Sequence, residues 1–167
     1  MLLAALTISA QSGKWSAGTE QADELKGQVG SSFFKYEVEG EGSFIVYDWN
    51  DWAFKIATSK GKFDVRHYPS NGVAFVNVSL GLYSFDDKLI DSISDVPLLA
   101  DVFSCSAWIN KKGIYYPKTR RKLRSMIKAL KAGARYVRIL SARVDAPALD
   151  MKIMPYTNAT DGAGNRN

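Results

Sequence analysis

The chain has 167 residues, 46% of them hydrophobic and 23% charged, with a formal net charge of +5. That length suits one domain able to bury roughly two thirds of its unfolded surface, and the composition excludes a fibrous repeat or wholesale disorder. A single cysteine excludes an intrachain disulfide, so the monomer is held by packing and hydrogen bonds alone.

The opening "MLLAALTISAQSGKW" has the apolar run and small-residue end of a secretory signal peptide without its positive n-region. It reads as a signal remnant, with a first strand as the alternative, and falls far short of the roughly 20 apolar residues that span a bilayer. Residues 11–31 are polar and glycine-punctuated, which predicts a connector with a short helical turn near Asp23 to Lys26. Residues 1–31 are thus a signal remnant or N-terminal connector, 32–156 a single β-rich domain, and 157–167 a tail whose composition predicts disorder.

From Phe33 to Tyr68, four apolar runs are separated by Gly-Glu-Gly, Asn50-Asp51 and Lys60-Gly61, the punctuation of successive hairpins. Phe34, Tyr36 and Val38 fall on one side and Lys35, Glu37 and Glu39 on the other, and Trp52, Phe54 and Ile56 oppose Lys55 in the same way. "GVAFVNVSLGLY" is apolar on both faces and predicts a central strand. "DKLIDSI", "FSCSAWI" and "GIYY" follow, the last two joined by the turn-like "NKKG". Phe103, Cys105, Ala107 and Ile109 alternate to one side, which places the thiol in the core.

"KTRRKLRSMIKALKAG" predicts a helix over 119–132. Thr119 is its N-cap, Leu123, Met126, Ile127 and Leu130 its apolar stripe, and Gly133 its left-handed stop. Two strands follow, "RYVRIL" and "LDMKIM", with Leu149, Met151 and Ile153 inward. About nine strands and one helix predict a mainly β fold. The expected form is an antiparallel, two-layer β-sandwich-like domain with one amphipathic basic helix. The alternative is an α+β fold, a curled antiparallel sheet with the helix on one face.

Charge is unevenly distributed. Residues 1–101 carry 8 Lys and Arg against 14 Asp and Glu, whereas residues 102–167 carry 14 against 3. Arg120, Arg121 and Lys122 occupy the first helical turn, where the helix dipole is already positive. Compensation must come from acids such as Asp86, Asp87, Asp91 and Asp95, or from an anionic partner. The candidate contacts for such a partner are Lys118, Arg120, Arg121, Arg124, Lys128, Arg135 and Arg138, with Arg143 nearby. Trp108, Tyr115, Tyr116 and Tyr136 lie near them in sequence and have rings that can stack on bases. In "YDWNDW", Trp49 beside the turn is the candidate aromatic contact for a sugar or protein, and Trp52 is assigned to the core.

Catalytic chemistry is poorly supplied. His67 is the only histidine, so any triad must run through it, and alternation in "KFDVRHY" places it on the apolar side with Phe63 and Val65, away from Asp64. One His and one Cys cannot make a zinc site, and neither "DWND" nor the Asp86–Asp95 run matches an EF-hand. Glu37, Glu39 and Glu41 repeat about 6.6 Å apart along a strand, a spacing that glycosidase carboxylates use. They are expected to face solvent, where nothing raises a carboxyl pKa. No catalytic, cofactor or metal residue is assigned, and no cofactor is expected. The reading is a non-enzymatic exported bacterial binding or accessory protein that meets a protein or glycan through its sheet and basic helix. The alternatives are a cytoplasmic polyanion-binding module for nucleic acid and a carboxylate-based hydrolase.

Overall fold

The computed structural model describes residues 13–19, 32–47, 53–108 and 119–156. The strands are β1 (Lys14–Thr19), β2 (Ser32–Val38), β3 (Gly42–Tyr47), β4 (Ala53–Thr58), β5 (Arg66–His67), β6 (Ala74–Tyr83), β7 (Leu89–Ala100), β8 (Ser104–Trp108), β9 (Tyr136–Ser141) and β10 (Leu149–Ile153). One helix, α1 (Arg120–Ala132), precedes β9. The fold is mainly antiparallel β, as the alternating runs predict.

All the strands join one sheet in the order β1-β2-β3-β4-β8-β7-β6-β9-β10, with β5 on β6. The sheet bends back on itself without closing into a barrel. The Trp15 indole N–H in β1 donates to the Met154 carbonyl just after β10 (2.9 Å), and its ring meets Tyr36 and Tyr156 edge-on. The two layers are therefore two halves of one sheet. They enclose a core in which Val46, Ile56, Val78, Ile139, Leu149, Met151 and Ile153 have no exposed surface.

The helix adds Leu123, Met126, Ile127 and Leu130 to this core, positions that recur every three or four residues and so share one face. Gly133 ends it at φ 80°, a left-handed conformation that costs a glycine nothing sterically. Leu130 O accepts from both Gly133 N and Tyr156 N, which fastens the helix to the segment after β10. Thr119 sits at the N-cap position, yet among the described residues its side chain makes no capping bond and its buried Oγ1 has no hydrogen-bond partner.

Several expectations change. Lys14–Thr19, read as connector, is an edge strand paired with β2; Trp15 is its one large apolar residue, so its sequence carries little apolar alternation. Phe103 is 56% exposed, because Asp101 Oδ1 accepts from the Phe103 and Ser104 amides and delays the strand until Ser104. His67 is exposed and not on the apolar side with the buried Phe63. Val65 N donates to Phe63 O (3.0 Å), an i→i+2 turn that breaks the alternation after the buried Phe63. Trp49, Trp52, Ile109, Tyr115, Tyr116, Lys118, the "NKKG" turn and the terminal segments 1–12 and 157–167 lie outside the described residues, as does the Trp108 side chain.

Candidate functional site

The site begins with the alternation of β6. Val76, Val78, Leu80 and Leu82 are buried in the core, so Asn77, Ser79, Gly81 and Tyr83 fall on the outer face of the sheet. On β9, Leu140 lies opposite Ser79, Arg138 opposite Gly81 and Tyr136 opposite Tyr83. Asp150 and Lys152 of β10 continue this face beside Leu140 and Arg138.

A β-bulge shapes the opposite wall. Val78 pairs with Val96 but Leu80 with Ile93, so β7 carries one extra residue there. Asp95 at the bulge has φ 54°, a region an aspartate tolerates better than most residues. Its amide donates to Ser79 Oγ (3.0 Å).

Two depressions result. One, of about 390 Å³, is lined by Asp64, Arg66, Asn77, Ser79, Asp95 and Leu140 among others. The second, of about 160 Å³, takes in Ser79, Gly81, Tyr83, Leu89, Arg138 and Leu140. Ser79 and Leu140 line both, so they form one groove along β6, about 20 Å from Asn77 to Tyr83 at strand rise. Gly81 is required in its floor: a Cβ there would stand 2.7 Å from the Tyr83 ring and 3.2 Å from Leu89.

The far end of the groove is held by several side-chain contacts. The Tyr83 and Tyr136 rings stack with centroids 5.1 Å apart and planes 5° from parallel, and Lys152 Nζ stands 4.2 Å over the Tyr136 ring. The Tyr136 hydroxyl donates to Asp87 Oδ1 (2.6 Å). Burial, reinforced by the Asp87 bond and charge, pushes that phenol up to about 12, so it remains a donor at neutral pH. Arg138 pairs with both carboxylate oxygens of Asp150, at 2.8 and 2.6 Å, and this bond raises its pKa further. At the near end, Arg66 lies 3.6 Å from Asp64.

The predicted contact residues are divided by the fold. Arg121 and Lys128 are exposed on α1, Arg120 and Arg124 are half-buried there, and Arg135 is exposed just beyond it. Arg138 belongs instead to the groove, bound to Asp150. Arg143, read as a flanking contact, has a side chain only 1% exposed and pairs with Glu41 at 2.7 Å. Glu41 therefore does not lie on a solvated face with Glu37, which pairs with Lys35, and Glu39. Tyr136 is buried and committed to its stack, not free to take a base.

Acids of the first half meet bases of the second at Asp91–Lys122 (3.2 Å), Asp87–Lys152 (3.9 Å) and Glu41–Arg143. The lopsided charge is thus matched in part within the chain. Cys105 is buried and its thiol pKa is raised, chiefly by desolvation, which suits packing and not nucleophilic chemistry. Among the described residues, no three His, Cys, Asp or Glu gather as a metal site, and no helix is long and apolar enough to cross a membrane.

Sequence reasoning missed the groove. Its one sequence signal is Asn77-Ser79-Gly81, small and polar outward positions in a strand hydrogen-bonded on both sides. Compared with protein-family models, with curated proteins and with solved structures, the chain matches none.

Proposed function

We propose that the protein is a non-enzymatic, exported binding or accessory protein that meets a protein or glycan partner on the outer face of its sheet. The observation that carries this reading is the pair of adjoining depressions along β6, which mix carboxylate, guanidinium, amide and hydroxyl groups with the apolar surface of Tyr83 and Leu140. Two of its carboxylate–guanidinium contacts are ion pairs, Asp64 with Arg66 and Arg138 with Asp150, which suits recognition better than proton transfer. The test is a panel of chromogenic glycosides, esters and phosphate esters. The expected result is no turnover above background; turnover that is lost in Asp64→Asn or Asp95→Asn overturns the reading in favour of a hydrolase.

The polyanion reading has its own support in α1. The helix has no acid in its first turn, and Arg121, Lys128, Lys131 and Arg135 are exposed. Retention on heparin that falls with salt and is lost in Arg121→Glu with Arg135→Glu would establish it. Retention indifferent to both changes would remove it.

A further inference from the structure

We propose that the groove along β6 is a glycan site. Its ligand would be a linear, hydroxyl-rich chain without acidic groups, lying from the Asp64, Arg66, Asn77 and Asp95 end to the Tyr83 platform. This rests on the reading of the outer sheet face as the contact surface.

The case against a peptide is geometric. An extended peptide binds a sheet by adding a strand, through the free backbone groups of an edge. Here β6, the floor of the groove, is hydrogen-bonded to β7 on one side and β9 on the other; among the described residues the nearest open edge is that of β7, which pairs with β8 only at Leu99 and Ala100, and a strand added there would extend the sheet beside the groove rather than lie in it. A peptide lying across it would leave its own amides and carbonyls without regular partners, at a cost in desolvation.

A glycan has the opposite needs. Each hydroxyl both donates and accepts, and the groove supplies acceptors at Asp64 and Asp95, donors at Arg66 and Arg138, and groups that do both at Asn77 and Ser79. The C–H face of a sugar ring needs apolar support. Leu140, 38% exposed, supplies it in the middle of the groove, and half-buried Tyr83 supplies it at the end. The stack on Tyr136 fixes the Tyr83 ring in advance, which reduces the entropy lost on binding.

Charge narrows the ligand further. Arg66 offsets Asp64 and Asp150 offsets Arg138, while the carboxylate of Asp95, within the first depression, has no side-chain partner among the described residues. Among the lining groups the carboxylates of Asp64 and Asp95 are matched in number by the guanidinium groups of Arg66 and Arg138, so the groove has no net positive charge to hold a sulfated or uronic chain, and an uncharged chain fits it. Binding here would be insensitive to salt, unlike contacts made by α1.

The experiment is titration calorimetry with short cello-, xylo-, chito- and deacetylated chito-oligosaccharides. Saturable binding to at least one is expected, weakened about tenfold or more by Tyr83→Ala and abolished by Leu140→Arg, which fills the groove where its two depressions join. Glu37→Ala, on β2, should bind as the parent does. If Tyr83→Ala lowers the melting temperature, Leu140→Arg, whose side chain faces outward, carries the test. No saturable binding to any of the four chains, or binding unaffected by Leu140→Arg, overturns the glycan assignment. A fluorescent extended peptide displaced by Leu140→Arg would overturn it too, while leaving the outer face as the contact surface. Turnover of the sugars would instead overturn the non-enzymatic reading on which the proposal rests.

Discussion

The guanidinium of Arg143, buried after β9, reaches Glu41 Oε1 in the β2–β3 turn at 2.7 Å across 102 residues of sequence. Its other nitrogens donate to Pro147 O (2.6 Å), Lys60 O (3.0 Å) and Thr58 Oγ1 (3.3 Å), and Glu41 Oε1 also accepts from the Asp150 amide (3.4 Å). One ion pair thereby joins three loops and holds β10 over β3. Removing one partner leaves the other desolvated, so Glu41→Ala should cost about 3 kcal/mol. Urea melts of Glu41→Ala, Arg143→Ala and the double variant should give a coupling energy above about 1.5 kcal/mol. A value near zero would show that the pair does not hold the loops together.

Asp91 and Lys122 offer the contrast. They are 3.2 Å apart, but both side chains are more than a third exposed, so solvent screens them. Asp91→Ala should cost less than about 1 kcal/mol, and the loss should shrink further at high salt. A salt-independent loss of several kcal/mol would mean that the first turn of α1 depends on this carboxylate.

Tyr136 predicts behaviour in alkali. Its folded pKa of about 12 lies above the ordinary 10, mainly through burial and then through Asp87. The neutral phenol is the form the fold favours, so its stabilisation is complete below pH 10 and is lost as pH rises toward 12. Tyr136→Phe should therefore flatten the fall in stability over that window. Asp87→Asn should move the phenolate absorbance transition to lower pH, and an unmoved transition would refute the assigned contact.

Asp101 predicts behaviour in acid. The Phe103 amide, followed by the Ser104 amide and hydroxyl, holds its carboxyl below the ordinary 3.8. Its contribution is present above that value and is lost as pH falls through the lowered folded one. Asp101→Ala should cost about 1 kcal/mol at neutral pH, a modest figure because the group is exposed. The gap from the parent should close in acid melts, and a gap constant with pH would argue against an ionised cap.

Leu130 tests the docking of the helix. It is 1% exposed, so Leu130→Ala should cost about 3 kcal/mol in denaturant melts through lost burial and the cavity left behind. Gly133→Ala, forced to positive φ, should cost about 1 kcal/mol. A larger loss at Gly133 than at Leu130 would show that the stop, not the buried face, fixes the helix.

The fold class and the helix were legible because they depend on local period. Phe54 and Ile56 at spacing two, and Leu123, Met126, Ile127 and Leu130 at spacing three and four, each declare a buried face without knowledge of what covers it. Gly133 declared the helix end because only its conformation mattered. The same logic failed at His67 and Phe103, where a local hydrogen-bonded turn reset the alternation. It also failed at β1, whose polar edge carries almost no period.

The charge split was visible in the sequence, but its resolution was not. Nothing local distinguishes Arg143, buried against Glu41, from Arg121, exposed on α1, because burial of a charge is decided by a partner far along the chain. The groove depends on tertiary structure for the same reason: Asp64, Ser79, Asp95 and Leu140 lie on separate segments and become neighbours only through strand pairing and a bulge. Sequence alone determined which faces are apolar. Register and the bending of one sheet decided which polar groups meet, since those choices are made between strands and leave little mark within any one of them.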